Sequence, residues 1–171
     1  MPISSNFSSI YSKDWEINFI QCYPNGQLKY TELCNILQLT AGYHAELGGL
    51  SFSDMQLHQQ AWVLSRMRVE VIELPKWRDV VTVKTWIVDM QGSRSVRALE
   101  LYVAETKMAS SLTYWVVLNT EFRKPEALAL PFEHFDIFPE NLTTKKSFAK
   151  INLNLQTQFL KNKTVLLSDL D

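Results

Sequence analysis

One long helical pattern followed by four strand patterns dominates this sequence. Apolar side chains recur at helical spacing from about Tyr30 to Leu47, and Gly48-Gly49 then supplies a C-terminal cap. A helix of this length measures about 27 Å at 1.5 Å per residue, which is enough to cross several strands. Segments rich in β-branched and aromatic residues follow the helix, and they predict strands at roughly 59–74, 80–90, 94–104 and 108–119.

The connections between these segments are short, so consecutive strands are expected to be antiparallel neighbours. Apolar and polar side chains alternate within them, as at Met67, Val69 and Val71, which predicts a sheet with one buried face. A further strand is predicted at Trp15–Cys22, ahead of the helix, and a turn at Tyr23–Gly26 ends it. A long central helix wrapped by one curved antiparallel sheet is the α+β hotdog fold, which the pattern therefore predicts.

Length and composition leave room for one good-sized core. The chain has 171 residues, of which 46% are hydrophobic, and two independent cores are not expected in a chain of this size. We interpret residues 1–13 as a flexible N-terminus, 14–126 as the hotdog domain and 127–150 as an inter-domain linker. Alternation returns in 151–171, which we interpret as the first strand of a second, truncated hotdog domain.

Charge and cysteine usage exclude several function classes. A net charge of −1 without long runs of like charge argues against a nucleic-acid partner. Cys22 and Cys34 have no metal-ligand spacing, so we expect reduced thiols and no metal site. No apolar stretch approaches membrane-spanning length and no secretory signal is visible, so no membrane insertion and a cytoplasmic location are expected.

Several segments together resemble the N-terminal half of the acyl-ACP thioesterase family, over about residues 14–171. The resemblance is carried by the combination of these segments, since each of them alone is weak. They are Leu64–Val71, Pro75–Asp79, Val83–Trp86, Ser93–Arg97, Tyr114–Asn119 and Arg123–Pro125.

The resemblance implies a function and a place for the catalytic residues. Family members carry two hotdog domains in tandem and hydrolyse the thioester between a fatty acyl chain and acyl carrier protein (ACP). This releases free fatty acid, ends chain elongation and needs no cofactor. The first domain is implied to line the acyl channel, and the catalytic motif opens the second domain as Ser-Asp-Leu-Asp-x-Asn-x-His-x-x-Asn. Only Ser168–Asp171 matches that motif here, so Asp171 is the implied catalytic residue.

Seven residues are candidates for acyl contacts. Burial of an acyl chain against such side chains is worth about 0.8 kcal/mol per methylene. The same side chains could equally be ordinary core, because aromatic residues on strands usually are. The candidates are Leu37, Ala41, Tyr43 and His44 on the helix, and Trp62, Trp86 and Trp115 on the strands.

Two rival functions remain open at this point. A single-hotdog acyl-CoA thioesterase would work as a homodimer, with Glu46 or His44 as catalyst across the interface. A non-catalytic acyl-binding hotdog would bind the chain without turnover. The sequence around Tyr23 and Gln27 resembles a worn copy of the catalytic motif, with neither its acid nor its base, so we interpret it as a pseudo-site. His58 and His134 receive no role.

A sheet edge and a set of basic strand residues are the candidate partner surfaces. An isolated hotdog half exposes a sheet edge, so we expect a homodimer or pairing with a second hotdog. Basic side chains on the predicted strands are candidates for contacts with acidic ACP, although a solvated outer sheet face explains them equally well. They are Arg66, Arg68, Lys84, Arg94 and Arg97.

Overall fold

The computed structural model of the protein describes residues 3–146 together with residues 148 and 164. Loops and turns connect its helices and strands. The elements are β1 (Ile10–Glu16), a 3-10 turn (Phe19–Gln21), α1 (Tyr30–Leu47), α2 (Phe52–Leu57), β2 (Gln60–Val71), β3 (Val80–Gln91), β4 (Arg94–Val103), β5 (Thr106–Asn119) and β6 (Lys124–Pro125).

The strands form one antiparallel sheet in the order β1-β3-β4-β5-β2, with the short β6 beside β5. The sheet curls around α1, so the hotdog prediction is confirmed. Antiparallel pairing of consecutive strands is correct for β3–β4 and β4–β5 but wrong for β2 and β3, because β2 pairs with β5. The connection at 72–79 does not form a hairpin. It runs past the start of α1, where Pro75 O accepts from Leu28 N and Gly26 O accepts from Trp77 N.

The main core lies between α1 and the inner face of the sheet. Leu33, Ile36 and Leu37 of α1 are almost fully buried, and they pack with Val83 and Leu101 of the sheet in one cluster. The helix begins and ends where the sequence predicts, and Gly48 caps it. Its buried stripe follows the apolar spacing at positions three and four residues apart.

The beginning of the chain differs from expectation. The first strand is β1 at Ile10–Glu16, not Trp15–Cys22, and it pairs with β3 from Ile10 onwards. Positions 10–13 of the segment interpreted as a flexible N-terminus belong to β1, and the flexibility itself stays a prediction. Beyond Glu16 the apolar alternation does not continue as a strand, because the chain turns through Phe19–Gln21. The short helix α2 was not predicted, although Ser51 caps it by accepting from Asp54 N at 3.1 Å.

The segment interpreted as a linker packs closely on the domain over 127–146, and we call this part the strap. Buried Gln60 holds its start by donating to Ala127 O at 2.8 Å and accepting from Ala129 N at 3.0 Å. Further along, Phe135 is buried against Leu50 and Ile87. The strap then reaches the outer face of the sheet. The division into domain and linker at 126 stays a prediction.

Candidate functional site

A cavity of about 90 Å³ lies between α1 and the inner face of the sheet. One wall is the side of α1 that carries Ala41, Gly42 and Ala45, where small side chains leave space. The opposite walls include Trp62 of β2 and Trp115 of β5, which approach each other because these strands pair. The lining is mostly apolar, as suits an aliphatic ligand.

The cavity continues into a surface groove of about 360 Å³ that shares Gly42, Ala45 and Trp62 with it. At Gly42 an added Cβ would meet no heavy atom within 4 Å. Gly42 is exposed, so a side chain added there would extend into open space at the border that cavity and groove share. Glu46 borders the same groove from the next turn of α1.

A buried polar network closes one side of the cavity. Arg97 of β4 lines it and is only 6% exposed. Arg97 Nη1 donates to His44 Nδ1 at 2.6 Å and to Thr85 Oγ1 at 3.3 Å. His44 Nε2 in turn donates to Ser8 O at 2.8 Å, so the imidazole is neutral and protonated on Nε2. The rings of Phe7 and Tyr11 stack on the imidazole.

The pKa values of this pair follow from burial. The pKa of His44 is lowered to about 3, because removal from water and, to a smaller extent, the nearby Arg97 charge both lower it, while the Ser8 hydrogen bond opposes them. Burial also lowers the pKa of Arg97 to about 10. At neutral pH a charged guanidinium therefore lies beside a neutral imidazole. Among the described residues, no carboxylate forms an ion pair with Arg97.

The structure brings Ala41, Trp62 and Trp115, three of the seven candidate acyl contacts, to this cavity. His44 lies behind Arg97, and Leu37 lies in the main core. The two remaining residues lie away from the cavity. Tyr43 packs against Trp15 and Lys13 on the exposed side of α1, and Trp86 packs on the outer sheet face and donates to Asn141 O.

Arg97 is the main site residue for which the sequence interpretation was wrong. Its sequence-based interpretations are an ACP contact and a solvated outer sheet face, whereas the residue is buried and lines the cavity. The parity of β4 gives the reason, because Arg97 alternates in step with the buried Leu99 and Leu101. Gln38, Gly42 and Ala45 also line the cavity and were not singled out, although their spacing places them on one side of α1.

The other sequence candidates lie elsewhere. Asn25 Oδ1 accepts from Gln27 N in the turn before α1, and Gly26 has a φ of 82°, so local turn chemistry accounts for the pseudo-site. Arg68 pairs with Glu70, and Arg94 with Asp89. Asp171 lies outside the described residues.

In the part of the chain that the structure describes, no group of three or more His, Cys, Asp or Glu residues could hold a metal ion. No helix there is both long and apolar enough to cross a bilayer.

Comparison with known proteins decides the family. The sequence model described as "Acyl-ACP thioesterase N-terminal domain" matches residues 8–132. The chain belongs to the acyl-ACP thioesterase family. It is 28% identical to a chloroplastic palmitoyl-acyl carrier protein thioesterase of Gossypium hirsutum, covering 95% of this chain and 43% of that protein. It is 27% identical to the chloroplastic oleoyl-acyl carrier protein thioesterase of Coriandrum sativum, covering 61% of this chain and 31% of that protein.

Solved structures agree on the fold of this acyl-ACP thioesterase family member. An acyl-ACP thioesterase from Bacteroides thetaiotaomicron superposes with a TM-score of 0.75 at 22% identity, covering 84% of this chain and 59% of that one. The chain thus spans less than half of the length of the two plant relatives named above.

Proposed function

We propose that this chain is the acyl-binding half of a thioesterase that hydrolyses fatty acyl-ACP to free fatty acid. Its partner is ACP, whose phosphopantetheine arm carries the acyl thioester. The proposed setting is fatty acid biosynthesis in the cytoplasm, and no cofactor takes part. The observation that carries the proposal is the apolar cavity beneath α1 in the domain that matches the family.

The cavity supports an acyl-binding role through its walls and its entrance. An acyl chain that leaves water for the space between Trp62 and Trp115 gains about 0.8 kcal/mol per methylene. The border that cavity and groove share at Gly42 supports a pose in which the thioester end stays in the surface groove and the chain points inward.

Thioester hydrolysis also needs a base for the attacking water and donors for the oxyanion. His44 does not fit the part of a base, because both ring nitrogens are engaged and its pKa is lowered to about 3. We propose that Asp171 begins the catalytic motif, as the family resemblance implies. The remaining catalytic residues of that motif would belong to a second hotdog domain.

Filling the space at Gly42, where cavity and groove meet, tests the acyl-binding role. In the Gly42→Leu variant the new side chain extends into open space beside the cavity without a backbone clash. We expect the affinity for a non-hydrolysable acyl-ACP analogue to fall at least about tenfold, because the loss of two buried methylenes already costs about 1.6 kcal/mol. Titration calorimetry with the folded chain measures it.

The matched control is Asn35→Leu, which adds the same side chain to the exposed part of α1. Its affinity should equal that of the unsubstituted protein. Equal affinities for all three proteins would overturn the acyl-binding proposal.

The position of Glu46 favours one rival, because this carboxylate borders the groove where a thioester would lie. A homodimeric single-hotdog thioesterase would use it as general base. Robust release of fatty acid by the folded 171-residue chain, lost in Glu46→Gln, would support this rival. Absence of turnover together with tight analogue binding would support the half-enzyme.

A further inference from the structure

Within the part of the chain that the structure describes, Arg97 has hydrogen-bond donors without an acceptor. Its guanidinium has five N–H donors, and both contacts to His44 and Thr85 come from Nη1. Nε and Nη2 have no acceptor among the described residues. Among the described residues, Ser111 Oγ is the buried side-chain atom that lacks a hydrogen-bond partner. Nε and Nη2 of Arg97 also lack a partner but are not such buried atoms, so they are not sealed within protein. Arg97 is one of the residues that line the cavity.

The charge of Arg97 also lacks compensation. Its two hydrogen-bond partners are neutral, and no described carboxylate forms an ion pair with it. Lys or Arg buried without an anion is costly, and buried charges in proteins are normally paired. An arginine kept at a cavity wall with free donors fits an anionic oxygen group best, because a carboxylate accepts from two guanidinium nitrogens at once.

We propose that this cavity binds an aliphatic chain ending in a carboxylate, with the carboxylate on Arg97 and the methylenes between Trp62 and Trp115. The cavity volume agrees with a short segment of such an aliphatic chain. A cavity of 150 Å³ can hold benzene, so the 90 Å³ found here holds roughly three to four carbons. The same chemistry has two sources, namely a free fatty acid or an acyl group that bears a second carboxylate at its far end. The second source rests on the proposed function, because the thioester would then lie in the groove.

The unsubstituted chain tests the proposal directly. Pentanoate and pentanamide have the same shape and differ in charge, so calorimetric titration of both isolates the role of the carboxylate. We expect pentanoate to bind at least about tenfold more tightly, which is the gain typical of hydrogen bonds to a charged group. Equal affinities of the two ligands, or no binding of pentanoate, would overturn the proposal.

Monomethyl glutarate separates the two sources, since its ester end imitates a thioester that stays in the groove. Tighter binding of monomethyl glutarate than of pentanoate supports the acyl group with a terminal carboxylate. Tighter binding of pentanoate supports the free acid. If the acyl-ACP analogue binds while all small carboxylates fail, this inference falls and the acyl-binding proposal stands.

Replacing Arg97 on β4 tests whether this residue binds the carboxylate. Arg97→Gln should weaken pentanoate binding at least about tenfold while leaving pentanamide unchanged. Arg94→Gln on the same strand is the matched control, because Arg94 is exposed and contacts Gln91 and Asp89. Unchanged pentanoate affinity in a folded Arg97→Gln protein would overturn the assignment. If this variant does not fold, the comparison of pentanoate with pentanamide in the unsubstituted chain decides.

Discussion

His44 forms hydrogen bonds both to the sheet and to the segment ahead of β1. It accepts from Arg97 in the sheet and donates to Ser8 ahead of β1, and both bonds require the neutral ring. Protonation would place a second positive charge beside Arg97 in a buried site. The helix therefore holds an uncharged imidazole that orients the Arg97 guanidinium.

The lowered pKa of His44 predicts a pH-dependent stability. The folded pKa is about 3 and the unfolded value about 6.5, so between these values the unfolded chain binds more protons. The contribution is fully present above pH 6.5 and declines as the pH falls toward 3. Each pH unit in that window costs about 1.4 kcal/mol, which gives about 2 kcal/mol between pH 6.5 and 5. Urea unfolding at both pH values measures it.

Variants separate His44 from the other titrating groups. His44→Gln should lose about 2 kcal/mol less than the unsubstituted protein over the same pH interval. The control His58→Gln alters an exposed histidine and should keep the full pH dependence. The same pH dependence in both variants would contradict the predicted role of His44.

At the scale of elements, α1 could be predicted from the sequence almost to the residue. Its apolar spacing and its glycine cap are local features, and the core that it forms with the sheet follows from them. The pairing of β2 with β5 could not be predicted, because alternation within a strand carries no information about which distant strand becomes its neighbour.

The candidate site was also predictable only in part. Ala41, Trp62 and Trp115 were found because small and aromatic residues suit an apolar cavity. The charge of Arg97 favours a solvated face, whereas its position in β4 favours a buried one. Alternation with Leu99 places it on the inner face, and that information was present in the sequence.

The end of α1 and the strap depend on each other at Gly48. A Cβ at this position would overlap the ring of Phe135, which is buried over Leu50 and Ile87. Gly48→Ala should therefore destabilise the protein by about 1–3 kcal/mol, because the ring must move out of a packed site. Gly42→Ala is the matched control. The added methyl group there meets open space within a helix and should stabilise by about 0.5–1 kcal/mol.

Urea unfolding of both glycine variants measures these opposite signs. Hydrogen exchange adds a local readout, since Phe135 N donates to Phe132 O within the strap. Faster exchange of that amide in Gly48→Ala alone is expected. Equal stability of the two variants would contradict the packing of Phe135 on Gly48.

The sheet ends in β1 on one side and β2 on the other, and β2 offers the longer open edge, with 12 residues against 7. Within the described residues β2 pairs with β5 alone, so its other edge offers backbone donors and acceptors to a further strand. Protein edges of this length are normally covered or charged. A second hotdog would cover it in a tandem enzyme, and a second copy of this chain would cover it in a homodimer.

The chain by itself is therefore expected to self-associate through β2. Sedimentation velocity should show a dimer, and Val63→Lys should weaken it at least about tenfold, because a charge on an edge strand opposes strand pairing. Val63 is 41% exposed on β2. The matched control is Val80→Lys, where the valine is 55% exposed but β3 lies inside the sheet between β1 and β4. This variant should dimerise like the unsubstituted protein, and a monomeric unsubstituted protein, or equal weakening by both lysines, would contradict an interface at β2.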